Sequence, residues 1–153
     1  MSIHPDPTVQ WLVDRERIRD LPLAYARGID ARDFAAARAC FADDAHVTGT
    51  RAQAPIDEYW AGLTPGVEAY AATLHFMGNQ YVAVEPGADF GEVETYAVAY
   101  HVADPGDPGR DLTMGVRYVD AVERRDDAWI ITGRRVHMQW LRGQFMDNNG
   151  GSR

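Results

Sequence analysis

The sequence predicts an α+β fold, helices first and then a strongly curved, mainly antiparallel sheet, on three observations. Apolar residues recur at three- and four-residue steps through the first seventy positions, β-branched and aromatic residues alternate with polar ones after Leu74, and clusters of Gly, Pro and Asp punctuate that second half. The 153 residues are 46% hydrophobic, enough to bury one sizeable core and too few for two ordinary domains. One domain is expected over residues 1–142, with the polar, Gly/Asn-rich stretch 143–153 as a mobile tail.

Ile18, Leu21, Tyr25 and Ile29 follow a helical period, so residues 8–29 read as one amphipathic helix in which Pro22 marks a kink site. A second, shorter helix follows. Asp33 caps it, Phe34, Ala37 and Phe41 form its inward face, and Ala42-Asp43-Asp44 ends it before a short strand near His46-Val47-Thr48. Ile56, Tyr59, Trp60 and Leu63 give a third helical stretch from Pro55 to about Tyr70, which Pro65-Gly66 is expected to split into two pieces. Four strands are then expected, at about 75–84, 91–103, 112–124 and 128–141, separated by Glu85-Pro86-Gly87, by the run Asp104 to Gly109, and by Asp126-Asp127. Such a sheet wraps a helix and leaves a cavity between them.

Composition removes several classes of function. The 23 acidic against 15 basic residues give a net charge of -8, which disfavours nucleic acid and anionic lipid surfaces as partners. Every basic residue is arginine, so a mechanism built on an internal lysine Schiff base or lysine base is excluded. Cys40 is the single cysteine and reads as a small buried hydrophobe. No apolar run reaches the roughly 20 residues of a membrane-spanning helix, and the first residues lack a signal-peptide layout, so the expected location is the cytoplasm. The five histidines show no metal-binding spacing, and no phosphate-cradling glycine loop or nucleophile elbow is present, so no metal and no cofactor are expected. Acid–base chemistry remains.

Three places carry residues suited to it. Tyr25 lies on the inward face of the first helix and Asp30 closes that helix; either they line the cavity, or Tyr25 is core and Asp30 a capping residue. His75 opens a strand on which alternation groups His75, Met77, Asn79 and Tyr81 against Phe76, Gly78 and Val82. On the last strand Arg134, Val136, Met138 and Trp140 share one face and Arg135, His137 and Gln139 the other. One of the two arginines therefore points into the concave side, unless both are rim residues paired with surface acids.

Three stretches together resemble the SnoaL-like branch of the nuclear-transport-factor-2-like superfamily. They are Tyr25-x4-Asp30-x2-Asp33-Phe34 with Phe41-Ala-Asp-Asp44, the strand start Leu74-His75-Phe76-Met77-Gly78-Asn79, and Gly115-Val-Arg-Tyr118-Val-Asp120-x2-Glu123-Arg-Arg-Asp126-x2-Trp129 leading to Arg134-Arg135-Val136. The resemblance covers about residues 10–142 and implies a cone-shaped α+β barrel with its pocket inside the cone. Asp30 and His75 resemble the aspartate–histidine dyad of scytalone dehydratases, hexachlorocyclohexane dehydrochlorinases and bile-acid 7α-dehydratases, which implies His75 as general base with Asp30 orienting it. Tyr25 matches the tyrosine of the bile-acid enzymes, and Arg134 falls where the dehydrochlorinases keep an arginine that assists the leaving group. Ile29 stands where scytalone dehydratase has a tyrosine, Tyr25 where the dehydrochlorinases have a lysine, and Thr113 and Tyr118 at the positions of scytalone dehydratase's second histidine and asparagine.

The function expected on this resemblance is a cofactor-independent lyase, a dehydratase or HX eliminase, acting on a small hydrophobic substrate. Its pocket is expected from Trp60, Phe76, Met77, Met114, Tyr118, Val136 and Trp140. A polyketide-type cyclase or isomerase, and a non-catalytic binding or assembly subunit, are the alternatives on the same fold. Self-association as a trimer or dimer is expected, because an apolar outer sheet face, with Tyr96, Val98, Tyr100 and Val102 or the alternate set, seeks cover.

Overall fold

The computed structural model describes residues 7–145. The expectation of a mobile tail therefore falls outside the described residues from 146 onward, as does the reading of the first six residues. Helix α1 (Pro7–Asp30) runs through Pro22 without interruption, and the short helix α2 (Phe34–Arg38) follows. Asp33 caps α2 as expected, its carboxylate accepting from the Ala36 N–H at 3.0 Å. The two helices approach closely because residue 28 is glycine: a Cβ there would lie 2.8 Å from that of Ala37.

Phe41 does not extend α2 as its spacing suggested. It opens strand β1 (Phe41–Thr48), a longer strand than expected, because the chain there pairs with the last strand of the molecule. The Asp43-Asp44 pair that reads as a helix end is instead the outward side of β1, where an irregular register between Phe41 and His46 leaves both exposed. A three-residue strand β2 (Gln53–Pro55), which the sequence pattern did not reveal, pairs antiparallel with β1.

Helix α3 (Ile56–Glu68) is one piece, not two. Pro65 removes one hydrogen bond but its carbonyl still receives the Ala69 N–H at 3.1 Å, and buried Val67 docks the final turn against the core. Packing outweighs the lost bond.

The four expected strands are present as β3 (Ala72–Val84), β4 (Phe90–Val102), β5 (Leu112–Arg125) and β6 (Ala128–Arg142). Asp126 and Asp127 both adopt left-handed φ, 49° and 62°, closing the β5–β6 hairpin with the two-residue turn that suits strand twist. The sheet order is β2-β1-β6-β5-β4-β3, with β1 parallel to β6 and every other pair antiparallel. The sheet is curved but open; it does not close into the barrel that the resemblance implied.

Helix α1 covers the free edge of β3. Trp11 Nε1–H donates to the Val84 carbonyl at 2.8 Å, Arg15 Nη1–H to the Val82 carbonyl at 3.0 Å, and Gln80 Nε2–H to the Arg19 carbonyl at 2.9 Å. The first two bonds occupy edge carbonyls that would otherwise invite another strand, and the third ties the strand to the helix. The core lies between α1, α3 and the concave sheet face, with Ile18, Ile29, Ile56, Val93, Val122 and Ile131 all but fully buried.

Two bulges overturn the simple alternation. On β3, Met77 pairs with Ala97 but Gln80 pairs with Thr95, so two residues oppose Tyr96 and the facing reverses. Gln80, Val82 and Val84 turn inward, and Tyr81, expected beside His75, is 62% exposed. On β6, Met138 pairs with Val116 and Trp140 with Gly115, so Gln139 is the extra residue and Trp140 leaves the face of Arg134. Its indole lies over Gly115, where any side chain would collide with it.

Candidate active site

A cavity of about 290 Å³ lies between α1, α3 and the concave face of the sheet. Its walls are mostly apolar and aromatic, including Ile29, Phe41, Leu63 and Val116, and residues Thr50 to Ala54 and Phe145 also line it. That volume accommodates a small ring compound.

Of the residues expected here from sequence, Tyr25, His75, Arg134, Trp60, Met114, Tyr118 and Val136 line the cavity, and Asp30 stands directly behind His75. Phe76, Met77 and Trp140 do not. Phe76 is 67% exposed because alternation places it on the convex side from His75. Met77 faces inward but is spent filling the core between neighbouring clusters. The bulge at Gln139 carries Trp140 to the convex face.

Asp30 is the last residue of α1, and the α1–α2 connection sets it against the start of β3. Its Oδ1 lies 2.7 Å from His75 Nδ1 and accepts the Thr73 hydroxyl at 2.9 Å, while Oδ2 accepts the His75 backbone N–H at 2.7 Å. Burial pushes the Asp30 carboxyl up, but the bonds from the His75 ring and backbone and from the Thr73 hydroxyl outweigh it and leave Asp30 below the ordinary carboxylate value. An ionised carboxylate only accepts, so His75 Nδ1 carries a proton, and the neutral ring in this arrangement has its lone pair on Nε2.

Arg134 is 3% exposed and pairs with the fully buried Asp120, its register partner on β5: Nε–H donates to Oδ1 and Nη2–H to Oδ2, each at 2.7 Å. The guanidinium carbon stands 4.2 Å from the Tyr25 ring centre, 4.6 Å from that of Tyr118 and 4.9 Å from that of Phe41. Among the described residues nothing accepts from Nη1. Burial works against the charge, but Asp120 more than compensates and holds Arg134 protonated. Burial likewise raises Tyr25, Tyr118 and Tyr59, keeping three phenols neutral as donors. Tyr25 joins the two halves of the site: its ring centre is 6.4 Å from that of His75 and 6.2 Å from that of Tyr118.

Sequence spacing missed three contributors. Asp120 is the counter-ion that lets a buried Arg134 exist. Tyr59 lies against Gly49 at the cavity wall. His101 lies in the cavity with its ring centre 6.0 Å from that of His75 and 4.9 Å from that of Tyr70. Burial, then the neighbouring His75, pushes His101 down to about 4, so it is neutral near pH 7. The signal for His101 was the β3–β4 hairpin: pairing Ala99 with His75 places His101 opposite Thr73 on the same face. Among the described residues no cluster of His, Cys, Asp and Glu is arranged to hold a metal ion, and no helix is long and apolar enough to cross a membrane.

The fold and this site define a class. Residues 10–135 match the SnoaL-like domain family, and the chain belongs to it. Among curated proteins, none matches the chain in sequence. Several solved structures share its fold. A protein from Novosphingobium aromaticivorans described as a candidate scytalone dehydratase is 19% identical with a TM-score of 0.78, over 92% of this chain and 93% of that one. A type 3 hexachlorocyclohexane dehydrochlorinase from Novosphingobium barchaimii is 19% identical with a TM-score of 0.74, over 88% and 92%. A protein from Novosphingobium aromaticivorans described as a candidate aromatic ring hydroxylase is 25% identical with a TM-score of 0.74, over 87% and 94%.

Proposed function

We propose that this protein is a cofactor-independent lyase that eliminates water or a hydrogen halide from a small hydrophobic molecule. The observation that carries this reading is the 2.7 Å contact between Asp30 and His75 at the wall of a cavity that Arg134 also lines. The names of two structural neighbours, a dehydratase and a dehydrochlorinase, fall in the same reaction class.

In this mechanism the lone pair on His75 Nε2 takes a proton from the substrate carbon. The C–H electrons become the new double bond, and the leaving group departs with its own bonding pair. Asp30 stabilises the imidazolium that forms, which a positioned base converts to about 10² to 10⁴ in rate. The neutral phenols of Tyr25 and Tyr118 donate to the departing group or to a developing enolate oxygen, and the positive charge of Arg134 behind them favours that negative charge.

The test incubates the protein and a folded His75→Ala variant with β-hydroxy ketones, hydroxysteroids and polyhalogenated cyclic compounds, following loss of water or halide by mass spectrometry. Elimination by the wild type, reduced at least a hundredfold in the variant, is the expected result. If neither protein turns over any compound while an apolar ligand raises the melting temperature of both, the protein is a binding module and the lyase reading falls.

A further inference from the structure

The turn after α1 breaks a general preference. Helices that end on a left-handed residue usually place glycine or asparagine there, yet here the residue is Arg32, at φ 61°. The backbone bonds of such an ending are present, the Arg32 N–H donating to the Ile29 carbonyl at 3.1 Å and the Asp33 N–H to the Gly28 carbonyl at 2.9 Å. A conformation that side chains rarely adopt persists where something else holds it, and here the side chain itself is held.

The Arg32 guanidinium makes three bonds to three pieces of chain. Nη1–H donates to the Ile29 carbonyl at 3.1 Å and to the Thr73 hydroxyl oxygen at 2.7 Å, and Nη2–H donates to the Tyr70 carbonyl at 3.1 Å. The direction of every proton in the next links then follows from chemistry alone. Arginine only donates, so Thr73 Oγ1 accepts from it. The single hydroxyl proton of buried Thr73 is therefore free to point at Asp30 Oδ1, 2.9 Å away. Asp30 thus receives Thr73 and the His75 ring on one oxygen and the His75 backbone N–H on the other. With both oxygens engaged, the carboxylate cannot rotate away from the ring.

We infer that Arg32 and Thr73 are positioning residues for the Asp30–His75 pair: they orient the carboxylate, and through it they hold His75 as the Nδ1–H tautomer with its Nε2 lone pair directed into the cavity. Neither touches the substrate. Their catalytic consequence rests on the lyase reading, but their effect on the imidazole does not. The arrangement also accounts for the sequence Ile29-Asp30-Ala31-Arg32: two residues after the carboxylate, a left-handed turn swings the chain so that a long donor returns beneath it.

The test reads the imidazole directly. Protein carrying ¹⁵N-histidine is examined by long-range proton–nitrogen correlation NMR, His75 being assigned by its loss in His75→Gln. Wild type is expected to give widely separated Nδ1 and Nε2 shifts, those of a single Nδ1–H tautomer. Thr73→Val, which keeps the shape and removes the hydroxyl, is expected to draw the two shifts together as the ring exchanges between tautomers, and Thr73→Ser to restore the separation. Arg32→Asn tests the far end without disturbing the turn, since asparagine tolerates the left-handed backbone; it is expected to give an intermediate spectrum. Where a substrate from the elimination panel is in hand, Thr73→Val lowers turnover about tenfold or more while Thr73→Ser recovers most of it. Wild-type separation retained in both folded Thr73→Val and Arg32→Asn overturns the inference whatever the protein catalyses. Collapsed tautomer purity in those variants, with no turnover by the wild type, upholds the positioning role and removes the lyase reading instead.

Discussion

Two buried aspartate–arginine pairs tie this molecule together, and they differ in what is left over. Asp14 on α1 accepts two bonds from Arg124 on β5, at 3.1 and 2.7 Å, one from Trp129 Nε1–H at 3.1 Å and one from Gln10 at 3.0 Å, while Arg124 also donates to Asp89. This cluster lies away from the cavity and pins the first helix to the β5–β6 hairpin. Asp120 and Arg134 form a bidentate pair with both bonds at 2.7 Å, deeper than the first, yet Arg134 keeps one nitrogen without an acceptor among the described residues, and that residue lines the cavity. A buried donor left open costs folding free energy, and here the guanidinium is packed against the rings of Tyr25, Tyr118 and Phe41. The first pair is an anchor, whereas the second is an anchor that also presents a charge.

The largest effect that would break this comparison is on stability at the second pair. Asp120→Ala leaves a guanidinium buried without its counter-ion and is expected to cost about 3–5 kcal/mol in urea unfolding. Replacing both partners together, Asp120→Leu with Arg134→Met, is expected to return much of that loss while abolishing turnover. A double variant that keeps full turnover would show the Arg134 charge to be idle.

A smaller effect is expected at the first pair. Asp14→Ala removes charge-assisted bonds from Arg124, itself partly exposed, and is expected to cost about 2 kcal/mol, with ligand binding in the cavity unchanged. A matching loss of binding would mean that the two regions are coupled through α1.

A graded effect separates the regions by pH. Burial pushes Asp14 up, but the Arg124, Trp129 and Gln10 bonds and the Arg124 charge outweigh it, leaving it below 3.8. Its stabilisation is therefore full above about pH 4 and is lost as pH falls through the lowered native value. His101 behaves differently, because its native value is about 4 against an ordinary 6.5. The unfolded chain takes up its proton first, so stability declines as pH falls from 6.5 towards 4, at up to about 1.4 kcal/mol per pH unit for one proton. His101→Gln is expected to flatten that upper window and leave the acid limb intact. An unchanged slope between pH 6.5 and 4 would mean that His101 takes up its proton in the folded protein as readily as in the unfolded chain.

Much of the fold and half of the site were legible along the chain. Helical spacing located α1, the Asp33 cap located α2, and Gly-, Pro- and Asp-rich breaks located the four long strands. The resemblance matched Asp30, His75 and Arg134 to residues that the geometry brings into one site. Most of the errors share one origin, in that they occur where a long-range partner overrides a local pattern. Phe41 has a helical neighbour set but a strand partner in Ile131. Pro65 signals a break but Val67 has a core to join. Tyr81 and Trp140 were assigned by period, and a bulge decided their side, whereas Phe76 follows the alternation that sets it opposite His75 and was placed in the pocket for its apolar character alone.

Residue type and spacing along the chain were sufficient to specify an α+β protein of acid–base residues, without lysine and with a single cysteine, because propensity, capping and turn chemistry act over a few residues. Which residues meet in the cavity was decided only in three dimensions. The union of Asp30 with His75, the burial of Arg134 against Asp120, the approach of His101, and the return of Arg32 to Thr73 all join positions distant in sequence or opposed by local rules. Their energies come from desolvation and register, which exist only once β3, β4, β5 and β6 lie side by side under α1.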